Sequence, residues 1–316
     1  MKALAASLCG WIVLAPAGPA APQGLNRAAD PEAVVVEELV VRGRTPGPAW
    51  WRVSDADSTV WVLGVPSYLP KNTAWNDLPL KARLAQSKLL IMPPQAHVGP
   101  LKAIGWFLKN RKALKSPAPL ETALPPDLAR RFASARASLG KPAKRYANWR
   151  PAMAAVILDG DFRSSVRLDP GEPLEHIRAL GHKAGVRERR AADYPAGPIL
   201  DQVLTMSEAA HEACLSDALA EVEAGSARAV AAARGWAEGD VRAALTLERG
   251  YDRCFAALPA MSELITRSQA DMASAIAQAL DRPGETVAVV ELRALLAQGG
   301  VLERLKARGV TAMTPQ

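Results

Sequence analysis

The chain has 316 residues, 49% of them apolar, so it can bury a sizeable core as one large domain or two small ones. That composition excludes a chain with nothing to bury. A net charge of +7 favours an anionic surface or ligand without demanding one, and aromatic residues are few beyond eight tryptophans.

The first predicted element is a secretory signal. Lys2 gives a short positive start, Leu4 to Leu14 ("LAASLCGWIVL") is apolar, and "APAGPAAPQG" supplies small residues, with cleavage expected after Ala17, Ala20 or Ala21. The stretch is too short for a stable membrane span; the competing reading is a buried N-terminal helix. The expected organisation is therefore a signal peptide over 1–21, a polar linker over 22–32 and a single domain over 33–316, exported to the periplasm or secreted. Nucleic acid is disfavoured as a partner of an exported protein. Removal of Cys9 with the signal would leave Cys214 and Cys254, an even number in an oxidising compartment, and a bridge between them is expected.

Ala33 to Gly43 ("AVVVEELVVRG") is rich in β-branched residues and predicts a strand. "AWWRV" and "STVWVLG" predict two more, separated by the turn "SDADS". The second is apolar on both faces, as in a covered strand. Asn76 to Ser87 predicts a short helix with Asp77 as its cap and Pro79 in its first turn. "KLLIM" (Lys88 to Met92) is a buried strand stopped by Pro93 and Pro94. From Leu101 the sequence is mostly helical, with a break or kink at Pro151. At the end, "ETVAVVEL" predicts a buried strand, "GGVLERLKARG" a helix closed by Gly309, and "VTAM" a last strand. Strands and short helices thus bracket a helical middle, the pattern of an α/β protein with a helical insertion.

Candidate chemistry is sparse. Glu208 and His211 share a helical face, followed by Glu212, yet a carboxylate-bridged metal site needs a matching second step. "HEACL" begins like a zinc motif, but Leu215 stands where the second histidine belongs. A solvated or capped polar helix face is the preferred reading. No Gly-x-Ser-x-Gly elbow occurs. Ser67 lies in the loop after a strand, where a nucleophile could sit, with Tyr68 beside it; the plain alternative is a turn serine. The basic segment with Lys102, Lys109, Arg111, Lys112 and Lys115 carries Trp106 and Phe107. It could contact an anionic surface through Trp106, Lys109, Arg111 and Lys112. The preferred reading is an ordinary amphipathic helix with its tryptophan in the core.

Read together, the two ends carry a resemblance. "DSTVWVLGVPSYLP", followed by "LAQSKLLIMPP", and the closing "TRSQADMASAIAQALDRPGETVAVVELRALLAQGGVLERLKARGVTAM" resemble the TraB/GumN family, related to the Tiki metalloproteases, over roughly Trp50 to Met313. The resemblance implies an α/β fold in which two related strand–helix halves form a mixed sheet, with a large helical insertion between them. It also implies metal-dependent chemistry at histidine and glutamate positions. Gly64 matches the first glycine of the family pattern. Val65 replaces its threonine, and Ser67 stands at its histidine. Pro93, with Met92 one step away, stands at its glutamate. In the last motif Val290 replaces the glycine and Arg293 falls at the histidine, while Arg267 is retained and Ser268 replaces an asparagine. Serine, proline and arginine are poor substitutes for imidazole and carboxylate.

The expectation is accordingly an exported pseudoenzyme without metal or cofactor. It would bind a peptide, protein or envelope ligand in a binding or regulatory role in the cell envelope. The alternative is a metal-independent or remodelled hydrolase using the same cleft, with Ser67, Tyr68, Glu291 and Arg293 converging at the strand ends.

Overall fold

The computed structural model describes residues 25–42, 47–246 and 249–313; the expected signal peptide lies outside the described residues. Two apolar runs organise the chain. The strands β1 (Trp50–Ser54) and β2 (Ser58–Val65) form the expected antiparallel pair, with Trp50 opposite Leu63. After the two-residue strand β3 (Leu69–Pro70) come helix α1 (Leu78–Gln86) and strand β4 (Ser87–Met92). Asp77 occupies the cap position of α1, but its carboxylate turns instead to Lys81 and His176; Asn76 accepts the Leu78 N–H.

The insertion follows. It comprises β5 (Gln95–His97), α2 (Pro100–Asn110), α3 (Leu120–Ala123), α4 (Pro126–Ser138), α5 (Pro151–Ser165), β6 (Leu168–Asp169) and α6 (Leu174–Lys183). It continues through β7 (Arg187–Arg190), β8 (Asp193–Pro195), α7 (Gly197–Leu204) and α8 (Glu208–Ala237), which is interrupted at Gly225, where φ is +75°. The short helices α9 (Val241–Ala244) and α10 (Gly250–Ala256) lead to α11 (Pro259–Leu280). Pro151 starts α5 at its first turn, where the missing N–H costs nothing, so the expected break becomes a helix start.

The chain closes with β9 (Gly284–Glu291), α12 (Leu292–Leu296), α13 (Val301–Ala307) and β10 (Ala312–Met313). The main sheet runs β10-β1-β2-β9-β4-β7. Its β10-β1-β2 side is antiparallel, and β2, β9, β4 and β7 are parallel. The last long strand therefore inserts between the two strands of the first segment. Its central run "VAVV" is fully covered, as parallel strands require.

The main core lies on this sheet, from Trp51, Val62 and Leu63 to Leu90, Ile91 and Val287–Val290. A second core, built on Phe132, Tyr146, Leu158 and Leu219, holds the insertion together. Gly64 marks a close approach beside the cleft. A Cβ there would meet Leu292 Cδ1 at 2.7 Å and Trp51 Cζ3 at 2.9 Å, and its carbonyl accepts the Trp236 indole N–H at 2.8 Å. Gly64→Ala is expected to cost about 1–3 kcal/mol by overpacking, read as a lower denaturant midpoint at unchanged m-value.

Three expectations need correction. Ala33 to Gly43 is not a strand over its described residues: Val35 and Arg42 make isolated bridges to Ala297 and Asp240, and Glu37–Leu39 is a 3-10 turn. Val35, Leu39, Val40 and Val41 pack onto the core without a partner strand, while Val34 stays exposed. Residues 25–32, read within a linker, are docked through Arg27 to Asp217 and through Asp30 to Arg249. Trp106 is only half-buried, and α2 buries none of its residues. One strand of the main sheet escaped the sequence reading: β7, "RERR", is an exposed edge strand paired to β4, and its charges suit an edge that must not recruit another chain.

Candidate functional site

The parallel pairing of β2 with β9 sets Val65 directly opposite Glu291 and brings the loops after both strands to the same edge. That edge carries a cavity of about 270 Å³ lined by Ser67, Tyr68, Glu291 and Arg293. Four residues read separately from the sequence, 224 positions apart at the Ser67–Glu291 contact, thus converge. Gly64 lies buried behind them. Pro93 does not line this cavity; its carbonyl accepts from Arg190 at 3.3 Å beyond the neighbouring strand.

Each side chain is held by a local reason. Glu291 ends β9 and caps α12: one carboxylate oxygen accepts the Ala294 N–H at 2.8 Å. The other accepts the Ser67 hydroxyl at 3.1 Å. Arg293, in the first turn of α12, donates to the Leu245 carbonyl at 2.7 Å and forms no ion pair among the described residues. Burial, and next the charge of Arg249, hold its pKa below the usual arginine value.

Three further charged lining residues escaped the sequence reading: Glu32, Arg249 and Asp252. Arg249 is clamped by Asp30 and reaches Glu32 at 3.3 Å. Burial, and next the charge of Glu291, push the Glu32 pKa up to about 8 against the pull of Arg249. No spacing rule links residue 32 to residue 249, 217 positions away.

Arg249, Arg293 and Leu245 also line a neighbouring cavity of about 330 Å³, together with Arg27, Arg253 and Asp30. The first cavity has an apolar wall from Phe255, Met261, Ile265 and Leu292. The site is thus two compartments meeting at Arg293, one arginine-rich and one largely apolar.

Beneath Tyr68 lies a buried charge cluster. The Arg163 guanidinium stacks on the Tyr68 ring at 3.5 Å, pairs with Asp159 at 2.9 Å, and faces Asp252 at 3.4 Å and Glu221 at 3.7 Å. Burial first, then the charge of Asp159, raises Glu221 to about 8. Burial raises Asp159 to about 6 despite Arg163. Both carboxyls face the same guanidinium, that of Arg163.

The sign of the pH dependence follows. The folded state keeps the Glu221 proton up to about pH 8, while the unfolded chain releases it near 4.5. This contribution is complete below the unfolded value and is lost as pH rises through the folded one. Glu32 acts over the same window. Stability is expected to fall by on the order of 2–3 kcal/mol between mildly acidic and mildly alkaline solution. Urea midpoints at the two conditions test this, and Glu221→Gln should flatten the difference; equal midpoints for the parent protein would contradict it.

The family's metal chemistry can be set against these donors. At the positions that matter stand a hydroxyl bonded to Glu291, a thioether or pyrrolidine at Met92–Pro93 and a guanidinium. Glu291 already serves a helix cap, and two arginines border the cavity. This donor set does not fit a divalent cation, which takes imidazole, thiolate or converging carboxylates. Among the described residues, no group of three or more His, Cys, Asp or Glu side chains is placed to hold a metal ion. His211 is buried, with its pKa lowered chiefly by burial, and Glu208 pairs with Arg150 at 3.5 Å. Arg267 stacks on Tyr194 and does not line the cavity.

A six-stranded mixed sheet with a long helical insertion and a cleft at the ends of β2 and β9 defines an α/β protein of the class the sequence resembles. The chain belongs to the TraB/PrgY/gumN family, whose pattern it matches over residues 49–313. No curated protein and no solved structure matches it.

Proposed function

We propose that this family member is an exported binding protein of the cell envelope whose cleft holds its ligand without metal-assisted hydrolysis. The observation that carries the reading is Arg293. It stands where the resemblance places a histidine, makes no ion pair among the described residues, and joins the arginine-rich compartment to the apolar one. A guanidinium so placed suits an anionic group, and the wall of Phe255, Met261 and Ile265 suits an apolar body. A peptide with a free carboxylate meets both demands. The N-terminal apolar segment and the Cys214–Cys254 bridge support export, since disulfides persist in oxidising compartments.

The test is selection from a peptide library with free and amidated C-termini, using the parent protein and Arg293→Met. The reading expects carboxylate-dependent capture that the variant loses. Hydrolysis of the library, abolished by a chelator, would overturn it.

A second reading rests on the Ser67–Glu291 hydrogen bond, which places a hydroxyl on a carboxylate inside the cavity. A metal-independent hydrolase using Ser67 would be labelled there by a fluorophosphonate probe. The binding reading expects no labelling.

A further inference from the structure

Helix α2 is mounted with its apolar side outward. At 100° per residue, Ala103, Trp106 and Asn110 share one face, and these are its half-buried residues. Trp106 docks that face by donating its indole N–H to Asp201 at 2.8 Å. The opposite face carries Leu101 at 84% exposure, Ile104 at 56% and Leu108 at 57%, with Phe107 at 39% on its flank. The spacing is i, i+3, i+7, an unbroken ridge. A globular helix normally turns such a ridge into its own core. Among the described residues nothing covers this one.

The charge around the ridge selects what does. Between Asp77 and Glu121 the sequence has no acidic residue and eight Lys or Arg. Lys102 and Lys109 lie beside the ridge, and Arg111 and Lys112 follow it; all four are exposed. A second copy packed ridge to ridge would set these cations against each other, at a like-charge cost. An anionic bilayer instead takes the apolar ridge below its headgroups and the cations among its phosphates. We infer that α2 is an interfacial helix that docks the protein on anionic phospholipid surfaces through Leu101, Ile104 and Leu108, with Lys102, Lys109, Arg111 and Lys112 as the headgroup contacts. This surface is separate from the cleft and stands whether or not the cleft binds a peptide.

The experiment is co-sedimentation of the full chain with vesicles of phosphatidylcholine alone and of phosphatidylcholine with phosphatidylglycerol, at low and high salt. Binding should require phosphatidylglycerol and weaken at high salt. The double variant Ile104→Glu, Leu108→Glu should bind about ten-fold or more weakly. Its thermal midpoint should be unchanged, because both side chains are exposed. Lys102→Glu with Lys109→Glu should abolish the lipid preference. Any of four results would overturn the inference: no vesicle binding, equal binding to neutral vesicles, binding that survives the Ile104/Leu108 change, or a dimer that this change dissociates.

Discussion

Replacing Arg163 with methionine is expected to destabilise the protein by about 3–5 kcal/mol at neutral pH, among the largest losses any single substitution here would cause. Arg163 is the cation of the buried cluster, 13% exposed, facing Asp159, Glu221 and Asp252 and stacked on Tyr68. Those three carboxylates come from α5, α8 and α10, so one guanidinium ties three helices together under the cleft. Its own pKa shows how tightly: burial opposes its charge, yet Asp252, Tyr68, Asp159 and Glu221 together raise it above the usual arginine value. Methionine keeps much of the packing volume and leaves the carboxyls unpaired. The loss should shrink in acid, where Asp159, raised by burial to about 6, takes up its proton beside a Glu221 that already holds one. Urea unfolding of the variant at neutral and acidic pH tests this. A loss of equal size at both would show that packing, not charge, is what Arg163 contributes.

Removing the disulfide is expected to have a comparable effect. Cys214 in α8 and Cys254 in α10 are bonded, with Cα atoms 5.0 Å apart and 40 positions between them in sequence. Closing a loop of that length constrains the unfolded chain by about 4 kcal/mol, which for a domain of this size corresponds to a fall in Tm of about 7 °C. Both sulfurs are buried beside Leu258 and Met206, so a Cys214→Ala, Cys254→Ala double variant is the cleaner comparison. Because α10 also carries Asp252 and Phe255 to the cleft, the variant should bind cleft ligands more weakly even at temperatures where it is folded. Calorimetry of the parent protein and variant measures the first effect. An unchanged Tm would mean that the packing of α8 on α10 holds this wall without the bond.

The fold was legible where patterning had one physical solution. "STVWVLGV" and "ETVAVVE" have apolar residues on both faces and could only be covered strands. Pro79 stands in the first turn of its helix, as its missing N–H requires, whereas Pro151, read as a break, starts one. Reading failed where the decision was tertiary. "AVVVEELVV" has strand composition, but no partner strand reaches it. "RERR" has no strand composition, but β4 offers it an edge. The amphipathic pattern of α2 is plain in the sequence, yet which face turns inward is set by Trp106 and Asp201, not by the pattern.

The site divides in the same way. Ser67, Tyr68, Glu291 and Arg293 were found because they follow strand ends, where α/β proteins gather ligand contacts. Glu32, Arg249 and Asp252 were not, because they arrive from an apparent linker and from the start of a short helix. Hydrogen bonds from Arg249 to Asp30 and Glu32 bring the first two to the cleft. The opening question for any family member with these replacements is what the old histidine and glutamate positions now do. Here Ser67 and Glu291 hold each other, Pro93 stands apart, and Arg293 faces the cleft.

The most direct test of that account is the metal content of the purified protein after incubation with excess zinc and manganese and then gel filtration. The account predicts far less than one ion per chain, with no change on substituting Ser67→Ala or Glu291→Gln. About one ion per chain, lost in either variant, would contradict it.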